Sequence, residues 1–173
     1  MALGVSAAGS EQARLRILDT TSGKQIGPEI SRADFGAISW APDGRELWFN
    51  RLQAITKGMA ATQKYQRSAV VALKPGGNEA SLRTLVRAGD APSATNPGMP
   101  ATEFPFVDVR PDGRVLLMVI DGVSQQFRAW ASTSLGTPSI FVSSWRAVTN
   151  SAVPATLKSM SPNASSAPRM SVR

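Results

Sequence analysis

The 173-residue chain contains no cysteine and no histidine. Without cysteine there is no disulfide framework and no thiolate zinc site. Without histidine there is no Ser-His-Asp or Cys-His machinery and no imidazole metal ligand. No G-x-S-x-G elbow, phosphate-binding loop or G-x-G-x-x-G occurs, so no catalytic residue, cofactor site or metal site is expected in this chain. No apolar run approaches the length of a membrane span. The first ten residues lack a basic segment followed by a long apolar core, so no secretory signal is read there and a cytoplasmic location is the default expectation.

Acidic residues are missing from the C-terminal third. Residues 1–121 carry 14 Lys+Arg and 12 Asp+Glu, while residues 122–173 carry five basic groups and no acid, which accounts for most of the net +7. Such sparse, C-terminal basicity is not a Lys/Arg stripe interleaved with aromatics, so no nucleic-acid partner is expected.

What the chain does contain is a repeated turn. The stretch SWAPDGRELWFN (residues 39–50) is echoed by DVRPDGRVLLMV (residues 108–119), and the two PDGR tetrads start 69 residues apart, at Pro42 and Pro111. Proline presets φ for the second position of a β-turn, and Asp-Gly tolerates the tighter conformations that follow. Apolar runs on both sides read as β-hairpins with loops of four or five residues. Two unrelated hairpins would explain the tetrads, since PDG is a common turn, but the matching flanks favour a repeated unit. Asp43 and Asp112 are read as turn formers rather than as a carboxylate pair.

Strand-like segments continue on both sides of these turns. Residues 14–19 alternate with period two. One unit offers strands at 36–40, 46–52, 68–73 and 81–86, and a second at 104–109, 115–121, 127–132 and 139–142. A helical turn is expected only within 56–66, and 145–148 could open one more strand. Four antiparallel strands per repeat is the build of a propeller blade, and a β-sandwich is the alternative. The expected fold is all-β: about two four-stranded blades, at 36–86 and 104–142, plus a partial third in an incomplete propeller spanning 1–142. Residues 143–173 form a basic Ser/Ala/Pro-rich tail, expected to be disordered from about Asn163.

Several segments, taken in order, resemble the N-terminal propeller of the prolyl oligopeptidase family of serine peptidases. GVSAAGSEQARLRILDTTSGKQI (4–26) is similar to its S-x-x-G-S-[DE], strand, D-x-x-[TS]-G-K run. FGAISWAPDGRELWFNRL (35–52) resembles the next hairpin, and KYQRSAVVALKPG (64–76) the strand after a variable loop. FVDVRPDGRVLLMVIDG (106–122) and Arg128-Ala129-Trp130 resemble the following blade. The resemblance covers residues 3–135, and a weaker echo near Thr149-Asn150 resembles the start of a third blade.

The resemblance implies a non-catalytic piece of a seven-bladed propeller that gates peptide access to a separate hydrolase domain. This chain alone would be inactive, and peptide substrate would be a partner only within a full enzyme. It further implies that Phe35 and Phe104 line a substrate subsite, core packing being the alternative for both. Trp40, Trp48 and Trp130 are expected to pack between strands. The missing blades and hydrolase domain suggest a truncated or frame-shifted reading frame, and the compositional change near Ser143 suits a shifted frame. A stand-alone interaction propeller is the alternative function.

Repeat units bury their faces on neighbours, so a piece with uncovered faces should self-associate. Sedimentation of the purified chain should shift with concentration. A cooperative, strictly monomeric melt would contradict this.

Overall fold

The computed structural model describes residues 1–7, 10, 12–93, 96–121, 127–131 and 146–147. It contains three antiparallel sheets that follow one another along the chain. The first pairs β1 (Ala2–Ser6) with β2 (Ala13–Ile17). Bridges Leu15↔Ile30 and Leu18↔Gln25 lay the following segment along β2. The second sheet is β3 (Ile38–Trp40), β4 (Leu47–Arg51), β5 (Ala69–Leu73) and β6 (Arg83–Arg87), hydrogen-bonded in chain order. The third repeats that meander with β7 (Glu103–Val109), β8 (Val115–Asp121), β9 (Phe127–Ala131) and β10 (Arg146–Ala147). A 3₁₀ turn at Ala61–Tyr65 fills the expected helical stretch. Among the described residues no helix is long and apolar enough to cross a membrane.

Two differences from the sequence reading stand out. Strand β1 was not anticipated: Ala and Gly dilute its β character, and its pairing with β2 supplies what composition does not. The fourth strand expected at 139–142 and the tail beyond 147 lie outside the described residues. Among the described residues the fourth place in the third sheet is held by Arg146–Ala147, which pairs with Trp130 and Ala131.

The core lies between sheets, in two layers. Leu15, Ile17 and Ile30 meet Leu47, Phe49, Val71 and Leu73 between the first and second sheets. Trp48, Val70, Ala72 and Val86 meet Val107, Val115, Leu117 and Val119 between the second and third. The middle sheet is therefore covered on both faces. Its β5, AVVAL, is buried at all five positions, with successive residues serving alternate layers.

Both repeated turns form, and both aspartates do turn work: Asp43 Oδ1 accepts from the Arg45 amide and Asp112 Oδ1 from the Arg114 amide, each at 3.0 Å. Gly44 and Gly113 take positive φ, 69° and 79°, the left-handed step that closes each turn. The loops differ by one residue. The first is closed by the Ala41 amide on the Glu46 carbonyl (2.8 Å), a four-residue loop. The second is closed by Arg110 on Arg114 (2.8 Å), a three-residue loop, shorter than expected. Trp40 pairs with Leu47, but Val109 pairs with Val115. A one-residue slip exchanges the faces of a strand. Hence Trp48 faces the layer after its sheet, whereas Leu117, 69 residues on, faces the layer before its own.

Polar ties fix the sheets to one another. Asn50, 3 % exposed, donates through Nδ2 to the Pro105 carbonyl at 2.8 Å, and Ser39 Oγ donates to the Val107 carbonyl at 3.2 Å. These hold β7 across the second sheet. On the other side, Glu79 Oε1 accepts from the Ser31 amide (2.9 Å) and hydroxyl (2.7 Å), while Oε2 takes the Arg51 guanidinium. Arg32 approaches the same carboxylate at 3.8 Å. Burial alone would raise the Glu79 pKa, but the Ser31 hydroxyl, the Ser31 amide and Arg51 together outweigh it and lower the pKa from 4.5 to about 2.

A depressed carboxylate pKa contributes stability that is present above the unfolded value and lost as pH falls through the folded one. The contribution of Glu79 should therefore vanish between pH 4.5 and about pH 2. Melts across that window should show the native chain losing stability faster than Glu79→Gln, with the gap between them closing at the acid end. Parallel profiles would refute the assignment.

Candidate functional site

Phe35 sits in the tight turn that leads into β3. Ala33, 3 % exposed, anchors the start of that turn in the first core layer, and Gly36 at φ 61° ends it, with its amide on the Ala33 carbonyl at 3.3 Å. The ring between these fixed points is 43 % exposed. Phe104 and Phe106 lie two apart on β7 and so share a face. Pro105 between them turns its carbonyl to Asn50, which holds this stretch of β7 in place.

The structure brings the two expected residues together across 69 positions of sequence. The Phe35 and Phe104 rings meet edge to face at 5.1 Å between centroids. Phe106 completes the group, edge to face with Phe35 at 5.7 Å. Such geometry sets the positive edge of one ring against the negative face of another. Phe106 is buried, Phe104 half-buried and Phe35 the exposed member. Phe106 was missed by sequence reasoning, although its i+2 spacing from Phe104 was the signal that would have found it. The trio offers an apolar, aromatic platform at the junction of two sheets, suited to packing against an apolar or proline side chain.

The larger groove lies elsewhere. About 600 Å³ in volume, it runs between the first and second sheets and is lined by Arg14, Arg16, Glu29, Asp34 and Lys64. Glu29 pairs with both Arg14 (3.4 Å) and Arg16 (2.5 Å), and Asp34 with Lys64 (3.8 Å), while Arg32, also in the lining, turns to Glu79 outside it. Among the described residues no cluster of three or more His, Cys, Asp or Glu is placed to hold a metal.

Consecutive four-stranded antiparallel meanders packed face to face are blades of a β-propeller, here an incomplete one. The chain belongs to the prolyl oligopeptidase N-terminal β-propeller domain family, whose sequence profile matches residues 1–95. A search of curated proteins found no match. Among solved structures, prolyl oligopeptidase B from Galerina marginata, bound to a 25mer macrocyclization substrate, superposes with a TM-score of 0.65 at 16% identity, covering 86% of this chain and 21% of that one. Oligopeptidase B from Leishmania major gives 0.57 at 14% identity, covering 86% of this chain and 18% of that one. A prolyl endopeptidase gives 0.64 at 15% identity, covering 86% of this chain and 20% of that one. The chain thus spans about a fifth of the length of these structures, and at such identities the likeness speaks for the fold.

Exposure separates a platform from a core. Phe35→Ala should cost less than about 1 kcal/mol in denaturant unfolding, as surface substitutions do. Phe106→Ala should cost roughly 3 kcal/mol or more, as buried aromatics do. Equal, large losses would make Phe35 a core residue.

Proposed function

We propose that the chain supplies part of a propeller that gates peptide access to a separate hydrolase domain in a prolyl-oligopeptidase-like serine peptidase, contributing binding surface and no catalytic group. The observation that carries this reading is the contact between Phe35 and Phe104, an aromatic platform formed where two blades meet and left half open. A proline ring stacks well on such a surface, and aromatic rings at a channel mouth favour proline-containing peptides over charged ones. Membership of the propeller family and the peptide-bound Galerina marginata structure are consistent with a peptide as the thing admitted. The open face of the third sheet, with Ile120 42 % exposed, would be covered by a further blade or, failing that, by another copy of the chain.

The DNA flanking the coding sequence tests this. Translated in every forward frame, it should encode more four-stranded repeats and a G-x-S-x-G-G segment with a later Asp and His, and the purified chain should not hydrolyse a proline-containing peptide. Flanks that encode neither would overturn the gating role and leave a protein partner as the occupant of the open faces.

A further inference from the structure

At the end of the second sheet where β4 stops and β5 starts, a cavity of about 420 Å³ is lined by Arg32, Arg51, Arg67, Arg87, Glu79 and Thr84 among others. Register places its arms. Arg51 pairs with Ala69, and Ala69 pairs with Arg87, so the three form one row across β4, β5 and β6. Residues paired across antiparallel strands share a face. Ala69, 5 % exposed, is thus a low floor between two guanidinium arms.

A β-bulge improves the arrangement. The β5–β6 register shifts between Val70 and Val71, so Val70 pairs with Val86 while Val71 pairs with Thr84. Thr84 and Arg87, three apart, would point to opposite faces of a regular strand. The bulge turns both to the cavity side, and Arg87 Nη2 reaches Thr84 Oγ1 at 3.3 Å.

The charges in this cavity do not balance. Arg67 is matched by Asp90 at 2.8 Å. Glu79 alone serves both Arg51 and Arg32. Arg87 has only the neutral Thr84 hydroxyl and forms no ion pair among the described residues. Three guanidiniums against one carboxylate leave two positive charges, and the Arg51 side chain is only 11 % exposed, so water screens it poorly. Burial, and then the Arg51 charge, push the Arg32 pKa down against the opposing pull of Glu79. Arg32 and Arg67 are also the two non-glycine residues with positive φ among those described, at 64° and 51°. Their unfavourable backbone is held at the rim of this one cavity.

We propose that this cavity binds a dianionic oxyanion of the phosphate class between Arg51 and Arg87, with Arg32 and the Thr84 hydroxyl as further donors. A phosphate group carries about 1.5 to 2 negative charges near neutral pH, which matches the excess. Guanidinium forks suit its paired oxygens better than single point charges would. Glu79 keeps its role of orienting Arg51. The proposal does not depend on the peptidase reading and survives or fails apart from it.

Titration calorimetry of the full chain with inorganic phosphate, at ionic strength held constant with chloride, tests it. Saturable binding is expected, and Arg87→Gln should weaken it at least about ten-fold, as loss of a charge-assisted contact does. Arg45→Gln, in the exposed PDGR turn, should leave it unchanged. Should Arg87→Gln lose its strand signature by circular dichroism, Arg87→Lys, which keeps the charge but loses the fork, should still weaken binding. A glycerol phosphate arm distinguishes an esterified ligand from a free one: tighter binding of the ester points to the former, tighter inorganic phosphate to the latter. Heat that chloride abolishes equally, or Arg87 variants that bind as the native chain does, would overturn the site.

Discussion

The rest of this structure depends on sheet-to-sheet burial. A four-stranded blade cannot hide both its faces, because its hydrogen bonds run within the plane and its side chains leave it on both sides. The second sheet meets this constraint with a layer on each face, and its β5 gives up alternation for an unbroken apolar run. Among the described residues the third sheet meets it fully on one face and partly on the other, where Leu116 and Phe106 are buried. Val115, Leu117 and Val119 point into the shared layer, while Ile120 stays exposed. The third strand of the second sheet thus reads as AVVAL and is buried throughout, whereas its counterpart β9 has Arg128 exposed and Ala129, Trp130 and Ala131 half-buried.

Within that frame, polar groups set how the layers are registered. Apolar layers resist separation but tolerate sliding, since burial is non-directional. Asn50 and Ser39 supply direction by donating to backbone carbonyls of β7, two residues apart on that strand. A carbonyl acceptor buried without its donor carries a penalty of about 1–3 kcal/mol, so these bonds penalise any slip. Glu79 performs the same task between the first and second sheets, through Ser31 on one side and Arg51 on the other. The Phe35 platform is a consequence: the ring meets Phe104 because Asn50 fixes where β7 crosses.

Local chemistry made much of the fold legible in the sequence. Asp-Gly turns, the D-x-x-S-G-K turn at Asp19, and β-branched runs each mark structure within a few residues, and the order of such marks carried the family resemblance. The Asp19 carboxylate indeed caps its turn, accepting from the Thr21 and Ser22 amides at 2.9 and 2.7 Å. What stayed hidden depends on pairing. The extra residue in the first PDGR loop changes which face Trp48 shows, yet the tetrads themselves are identical. Strand β1 is defined by β2 rather than by its own composition. Phe35 and Phe104 were singled out by resemblance alone, and their contact was not legible, since no periodicity links residues 69 apart.

The arginine cavity is the extreme of this. Arg32, Arg51, Arg67 and Arg87 are separated by 16 to 20 residues, and in the sequence Arg51, Arg67 and Arg87 look like ordinary strand-end cations and Arg32 like a loop one. Strand ends are where long charged side chains normally reach water, with no need of a partner. Here sheet register places two of them beside one small alanine, and a bulge swings a hydroxyl to the same face. The shared carboxylate then becomes too little charge for the cations around it. A propeller fragment assembled from local turns and apolar layers would be stable without that surplus, and solvent-facing alternatives were open to Arg87 from its place on an outer strand. Two partly buried cations held on one carboxylate are costly to keep unless something else completes the shell. The imbalance, rather than any single arginine, is what marks the cavity as a place for an anion.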